Sequence, residues 1–223
     1  EAYQKKLAGL TFLDPACGSG NFLTETYLSL RRLENEAIAE LHHDQIMMDM
    51  DTPIQVSISQ FYGIEINDFA ATVAKTALWI AESQMMKETE DVVHMTLDFL
   101  PLKTNASIVE GNALLIDWAD VVPKNRLNYI MGNPPFVGAR LMGKGQKDDV
   151  NLIFKGWKNA GNLDYVCCWY KKAADLMVGT DIRAALVSTN SVAQGETVAN
   201  LWKPLFEAGV HIDYAYRTFR WDS

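Results

Sequence analysis

The chain has 223 residues, of which 48% are hydrophobic, and its 20 basic and 28 acidic residues give a formal net charge of −8. The acidic balance argues against nucleic-acid binding by bulk electrostatics alone, and no apolar run is long enough to span a membrane. No signal peptide is visible, and the three cysteines lack metal-ligand spacing. These properties predict a cytoplasmic protein with one large or two small domains, reduced thiols and no metal site.

A glycine-rich turn follows the first predicted strand. Residues 10–13 form an apolar run that ends at Asp14, and Pro15-Ala16-Cys17-Gly18-Ser19-Gly20 comes next. This pattern predicts a strand, a tight turn and a helix that begins near Asn21. The glycines let the backbone approach a ligand closely, and the helix amino terminus offers free N–H groups. Asp14 adds a fixed carboxylate that can bind an ammonium group, although an ordinary strand-to-helix turn also fits the glycines.

The predicted helix has an apolar face and a charged face. The apolar positions are Leu23, Tyr27, Leu30, Ala37 and Leu41. The charged residues Arg31, Arg32, Glu34 and Glu36 are expected off this buried face.

A second strand is predicted at residues 60–66, and Asn67-Asp68 after it can cap a helix. Glu65 stands at the end of this strand, where nucleotide-binding α/β folds place an acid that holds ribose hydroxyls about 20 residues after the glycines. Here the acid lies farther along, because a long helix and a polar insert at residues 42–59 intervene. This spacing, and the lack of a complete G-x-G-x-x-G, count against a dinucleotide dehydrogenase.

Two further strands are predicted at residues 107–110 and 127–131. The third strand ends in Gly111-Asn112-Ala113-Leu114. Asn112 can pair with an adenine edge or serve ordinary turn chemistry, and the sequence leaves both readings open.

The fourth strand leads into Asn133-Pro134-Pro135-Phe136. Two prolines fix their own φ and restrict the residue before each, so the Asn133 amide and the Pro134 carbonyl should be held stiffly. Two such oxygens can accept both hydrogens of an amino group, and the Phe136 ring can stack on a planar base. Taken alone, the tetrapeptide fits a proline-rich turn about as well.

The second half of the chain continues the alternation. Residues 137–150 are predicted as a mobile loop that carries Arg140, Lys144 and Lys147, three cations able to meet a phosphate backbone. The predicted elements that follow are a helix capped by Asn162 or Asp164, a strand at 182–188, a helix at 194–208 and a sixth strand at 210–216. Strands alternating with helices predict an α/β fold with a mostly parallel sheet and helices on both faces.

Four motifs follow one another along the chain, each at the end of a predicted strand: Asp14-Pro15-Ala16-Cys17-Gly18-Ser19-Gly20-Asn21-Phe22, Gly63-Ile64-Glu65-Ile66-Asn67, Gly111-Asn112-Ala113-Leu114 and Asn133-Pro134-Pro135-Phe136. This set resembles the S-adenosyl-L-methionine-dependent DNA adenine methyltransferases. Three later stretches resemble their single-chain restriction-modification branch, the MmeI type: Asn162-Leu163-Asp164-Tyr165-Val166, Val187-Ser188-Thr189-Asn190-Ser191 with Gln194-Gly195-Glu196, and Tyr216-Arg217-Thr218-Phe219-Arg220-Trp221. The resemblance implies a Rossmann-like class I methyltransferase fold.

The resemblance also implies a role for each motif. Asp14 would bind the cofactor's methionine amino group, and the turn with Ala16, Gly18 and Gly20 would lie against the cofactor. Glu65 would hold the ribose hydroxyls, and Ile66 beside it would also contact the cofactor. Asn112 and Ala113 would face its adenine. Asn133 and Pro134, followed by Pro135, would receive the target amino group. Phe136 would stack on the target base, and Phe219 or Trp221 would cover the other face.

By the same resemblance, residues 1–223 are expected to be the catalytic domain of a longer protein. Its partner would be double-stranded DNA with a flipped adenine, and the target-recognition domain and any nuclease would lie outside this segment. Three alternatives stay open at this point. They are a methyltransferase of protein glutamine or RNA with the same fold, a cofactor-binding scaffold without turnover, and a nicotinamide oxidoreductase, which the glycine pattern disfavours.

Overall fold

A computed structural model describes residues 1–44, 54–97 and 105–219 of the chain. Trp221 and residues 45–53 of the polar insert lie outside the described residues. None of the helices in the described ranges combines the length and the hydropathy needed to span a bilayer.

The described residues form one sheet of five parallel strands in the order β3-β2-β1-β4-β5. The strands are β1 Phe12–Asp14, β2 Phe61–Glu65, β3 Ser107–Glu110, β4 Tyr129–Gly132 and β5 Arg183–Leu186. β1 lies at the centre, where Phe12 pairs with Phe61 of β2 on one side and with Tyr129 of β4 on the other. The strand order reverses between β1 and β4, and such a switch point opens a crevice at the carboxyl ends of the two strands.

Seven α-helices precede, connect or follow these strands in the described ranges. They are α1 Ala2–Ala8, α2 Asn21–Asp44, α3 Asp68–Val93, α4 Trp118–Val121, α5 Lys144–Ile153, α6 Cys167–Met177 and α7 Lys203–Glu207. α2 begins at Asn21, as predicted, and α3 begins where Asn67 accepts a hydrogen bond from the Ala70 N–H at 2.9 Å. The capping prediction for α3 is therefore confirmed.

Helices cover both faces of the sheet, which confirms the predicted layering. Side chains alternate along each strand, so Phe12 and Phe61 join the core under α2 and α3. Leu13 and Ile64 point to the opposite face and join the core under α6. On the first face, the rings of Phe12 and Phe61 stack with their centroids 5.1 Å apart.

The prediction that Arg31 and Glu34 lie off the buried face of α2 is wrong. Both side chains are fully buried and form an ion pair. Arg31 also donates to Thr89 Oγ1 of α3 at 2.7 Å, and Glu34 accepts the Gln55 N–H at 2.6 Å. α3 and the segment before β2 cover this side of α2, so the charges lie inside the fold and are paired there. Leu41, predicted to face the core, is 38% exposed.

Three predictions in the second half also need correction. The expected mobile loop at 137–150 contains the start of α5. The helix expected from residue 194 begins with a π-helical turn, Val198–Trp202, and continues as α7. The sixth strand is absent from the described residues, because 210–219 pair with no strand there and Tyr216 is 85% exposed. Alternation of apolar residues does not make a strand unless a neighbouring edge accepts its hydrogen bonds.

Candidate active site

The carboxyl ends of β1, β2 and β4 meet at one edge of the sheet and bring Asp14, Glu65 and Asn133 together. Parallel neighbours necessarily end on the same side, and β1 pairs with both other strands. The contact between β1 and β4 is tight, because a Cβ added to Gly132 would lie 2.3 Å from Asp14 Oδ1. Asp14 thus lies against the backbone of the residue that precedes Asn133.

Asp14 is a buried carboxylate with no ion pair among the described residues. Its Oδ1 accepts a hydrogen bond from the Ala16 N–H at 2.9 Å. Burial raises the pKa of Asp14 to about 7; the Ala16 hydrogen bond opposes this shift, and the nearby negative charge of Glu65 adds to it. A cation bound here would restore the charged form.

The glycine turn has the geometry that its residues predict. The Gly20 N–H donates to the Cys17 carbonyl at 2.8 Å. Gly18 and Gly20 have φ of +53° and +86°, in the left-handed region that favours glycine. A Cβ at Gly20 would meet the Ala74 backbone at 3.0 Å, whereas one at Gly18 would meet no atom within 4 Å. Gly20 therefore permits close packing of α3, and the surface beside Gly18 is open.

Glu65 connects the second motif to the first. Its Oε2 accepts the Gly18 N–H at 2.9 Å, and its Oε1 accepts the Asn67 N–H at 3.0 Å. The next residue, Ile66, is 69% exposed. A fixed carboxylate beside an exposed apolar side chain suits a ligand that combines hydroxyl groups with a flat apolar ring.

Both the oxygen and the nitrogen of the Asn112 side-chain amide form hydrogen bonds. Its Oδ1 accepts the Leu114 N–H at 2.9 Å, which is the turn chemistry that the sequence left open. Its Nδ2 donates to Asp149 of α5, at 3.3 Å from Oδ1 and 3.2 Å from Oδ2. Ala113 is buried, and its carbonyl accepts the Trp118 indole N–H at 2.8 Å. Sequence reasoning missed Asp149, because it lies in the segment predicted to be a mobile loop.

The Asn133 motif presents a buried acceptor. Asn133 Oδ1 is buried, and no hydrogen-bond partner reaches it among the described residues. Pro134 is also buried, while the Phe136 side chain is 42% exposed. A buried acceptor without a donor costs about 1–3 kcal/mol, so this site is organised for a donor that arrives from outside the chain.

The segment before and at the start of α6 holds the loops of the first and fourth motifs in place. The Tyr165 N–H donates to the Val137 carbonyl at 2.9 Å, and Asp164 Oδ1 accepts the Ala139 N–H at 3.1 Å. The Trp169 indole donates to the Pro15 carbonyl at 3.0 Å. The sequence predicted that Asp164 caps the helix. Its side chain instead binds the loop after Phe136 and does not cap α6. Asn162 likewise does not cap α6, because its side-chain amide donates to Glu196 at 2.7 Å.

Phe219 lies in the irregular segment after α7 and is 61% exposed. Its contact with a base stays a prediction.

The five-stranded parallel sheet, the glycine turn after β1, the acid after β2 and the central switch point define the class I Rossmann-like methyltransferase fold. The chain belongs to the family described as MmeI, DNA-methyltransferase domain, whose profile matches residues 1–223. It is a DNA methyltransferase domain of the MmeI-type restriction-modification family. A methyltransferase domain requires a methyl donor.

Three similar proteins illustrate the relationship. DNA methyltransferase A of Bacillus subtilis (strain 168) is 43% identical over 219 residues, which cover 97% of this chain and 25% of that protein. The type IIL restriction-modification enzyme MmeI, solved in complex with DNA, superposes with a TM-score of 0.95 at 46% identity, over 100% of this chain and 30% of that one. The type ISP restriction-modification enzyme LlaGI has a TM-score of 0.55 at 15% identity, over 90% of this chain and 17% of that one, which shows the fold alone.

This chain therefore spans about a quarter to a third of the length of its two most informative relatives.

Proposed function

We propose that this domain transfers a methyl group from S-adenosyl-L-methionine to the exocyclic amino group of adenine in DNA. The observation that carries the proposal is the buried Asn133 Oδ1, which has no hydrogen-bond partner among the described residues, beside the buried Asp14, which has no cationic partner among them. Asp14 can bind a cation, and Asn133 Oδ1 can accept a hydrogen bond from a donor. The two residues stand at adjoining strand ends of the sheet. Membership of a DNA-methyltransferase domain family supports the same assignment.

The residues present fit this cofactor. Asp14 offers a desolvated carboxylate for the methionine ammonium group, and the open turn surface at Gly18 leaves room for the chain of the cofactor. Glu65 would accept ribose hydroxyls, and the exposed Ile66 would lie against the adenine. When bound, the cofactor supplies a methyl group that its sulfonium has already activated.

The Asn133 motif would prepare the target nitrogen. The lone pair of an adenine amino group is delocalised into the ring, which makes the nitrogen a poor nucleophile. Asn133 Oδ1 and the Pro134 carbonyl would each accept one amino hydrogen and so favour the pyramidal geometry in which the lone pair can react. Because the prolines fix these oxygens in advance, little reorganisation is needed at the moment of reaction.

The target base must leave the duplex to reach these oxygens. Phe136 would stack on the flipped base, since its side chain is partly exposed and it follows Pro134 by two residues. Stacking of this kind contributes about 1–3 kcal/mol per base. Phe219 would cover the other face of the base in the same proposal.

DNA binding would be shared with other parts of the full-length protein. The net charge of −8 argues against DNA binding by the bulk electrostatics of this chain alone. MmeI, which is similar over the whole of this chain, has been solved in complex with DNA. In this proposal, a domain outside residues 1–223 recognises the DNA sequence. The reaction takes place in the bacterial cytoplasm.

The test is the Asn133→Ala substitution in the full-length protein, with Asn151→Ala as the matched control. Asn151 carries the same side chain on the exposed surface of α5. Transfer of labelled methyl groups to DNA should be abolished in Asn133→Ala and unchanged in Asn151→Ala. Calorimetry should show nearly wild-type cofactor binding by both variants. Methylation of DNA by Asn133→Ala at the control rate would remove the proposed acceptor role.

A further inference from the structure

A carboxylate outside the four motifs, Asp149 of α5, lies at the carboxyl end of β3. It receives hydrogen bonds from two sides. The Tyr165 hydroxyl donates to its Oδ2 at 2.6 Å, and the Asn112 Nδ2 approaches both oxygens at 3.2 and 3.3 Å. Asp149 is half-buried, so these donors orient a carboxylate that still faces solvent on one side. Burial and the neighbouring Asp149 carboxylate raise the pKa of Tyr165, which keeps its hydroxyl protonated as a donor.

Both polar atoms of the Asn112 amide already have a partner within the chain. Its Oδ1 accepts the Leu114 N–H within the turn, and its nitrogen faces Asp149. The Asp149 carboxylate, which Asn112 helps to hold, is therefore the strongest acceptor at this corner of the sheet, because it carries a charge and has lone pairs to spare. Two carboxylate oxygens offer about four lone-pair directions, and one amino hydrogen can be accepted without displacing either donor.

Asp149 also lies in the direction in which an adenosine would extend from the Glu65 site. β3 is the outer neighbour of β2, and Glu65 pairs in register with Glu110 at the strand ends. The Gly111 N–H donates to the Glu65 carbonyl at 2.8 Å, which joins the two corners directly. A ribose held by Glu65 would direct its base outwards past Ile66, towards Asn112 and Asp149.

We propose that Asp149 accepts a hydrogen bond from the exocyclic amino group of the cofactor's adenine, oriented by Asn112 and Tyr165. This inference rests on the proposed use of S-adenosyl-L-methionine. Its consequence is selectivity for a 6-amino purine over a 6-oxo purine. A 6-oxo group would bring an acceptor oxygen against the carboxylate, where no hydrogen bridges the two.

The experiment compares two ligands on the full-length protein by calorimetry: S-adenosylhomocysteine, and S-inosylhomocysteine, which carries oxygen in place of the amino group. The wild type should favour the adenosyl ligand by about 10- to 100-fold. Asp149→Asn should lose most of this preference, because its amide can donate to the 6-oxo group. Asp148→Asn, a neighbouring exposed carboxylate on the same helix, should retain the wild-type preference.

Each outcome decides something different. An unchanged ligand preference in Asp149→Asn, or equal weakening of both ligands as expected of a purely structural residue, would overturn the role of Asp149 and leave the proposed function intact. A wild-type protein that binds neither ligand would overturn the cofactor assignment and this inference together. Tyr165→Phe keeps the carboxylate and removes one orienting donor, so it should reduce the preference partially.

Discussion

Two buried carboxylates of this domain, Glu34 and Asp14, differ in how completely the surrounding residues pair them. Glu34 is paired with Arg31 and accepts the backbone N–H groups of Gln55 and Val56. Asp14 has one backbone donor and no cation among the described residues, and burial raises its pKa to about 7. The comparison teaches that a satisfied buried charge supports the structure, while an unsatisfied one at a strand end is available to a ligand.

The largest expected effect of a substitution on folding falls on Glu34. Glu34→Ala would leave the Arg31 guanidinium buried without its partner, so unfolding by denaturant should show a loss of about 3–5 kcal/mol. Glu36→Ala, on the exposed side of the same helix, should change stability by less than about 0.5 kcal/mol. Equal stability of the two variants would contradict the assigned role of the ion pair.

A substitution of Asp14 should affect ligand binding and leave stability largely intact, the reverse of the effect expected at Glu34. Asp14→Asn removes a carboxylate that burial already disfavours, so we expect stability near neutral pH to be kept or improved. Affinity for S-adenosyl-L-methionine should fall by about 10- to 100-fold, because a charge-assisted contact is lost. Calorimetry on the full-length protein measures the affinity, and a wild-type value for Asp14→Asn would contradict the ammonium site.

Because the pKa of Asp14 is raised, protein stability and cofactor affinity should respond to pH in opposite directions. Between pH 3.8, the ordinary pKa of the group, and about 7, the native protein without cofactor holds a proton that the unfolded chain has released. The contribution of Asp14 to stability is therefore present at low pH and is lost as pH rises towards 7.

Cofactor affinity should instead rise with pH, since the ammonium group needs the ionised carboxylate. Below about pH 7 it should fall up to about tenfold per pH unit, in the limit where the cofactor binds only the carboxylate form. Titrations of the wild type and Asp14→Asn across this range measure the effect. A pH dependence as steep in Asp14→Asn as in the wild type would assign it to another group.

The smallest effect is expected at Trp169, which holds the first motif from a distance. Trp169→Phe removes the hydrogen bond to the Pro15 carbonyl and keeps an aromatic ring in the core. Stability should fall by about 1 kcal/mol, and cofactor affinity should weaken less than in Asp14→Asn. A loss of affinity larger than that of Asp14→Asn would show that Trp169 matters more to the site than the carboxylate does.

The sequence predicted well the features that depend on local order along the chain. The glycine turn, Glu65 and the Asn133 motif each follow directly after a strand, so the parallel sheet alone brings them to one edge. The structure confirms that the ends of β1 and β4 adjoin, as the proposed site requires.

Features that depend on distant packing could not be predicted in this way. The periodicity of α2 says nothing about α3, which covers Arg31 and Glu34. The alternation at 210–216 likewise gives no sign that a neighbouring strand is missing in the described residues. Asp149 lies 37 residues from Asn112, and only the packing of α5 brings the two together.

The most direct test of the central claim identifies the nucleoside that receives the methyl group. Full-length protein, S-adenosyl-L-methionine and unmethylated DNA are incubated together, and the digested DNA is analysed by mass spectrometry. The account predicts N6-methyladenine, present with the Asn151→Ala control and lost with Asn133→Ala. Methyl groups found on cytosine, or N6-methyladenine formed equally well by Asn133→Ala, would contradict it.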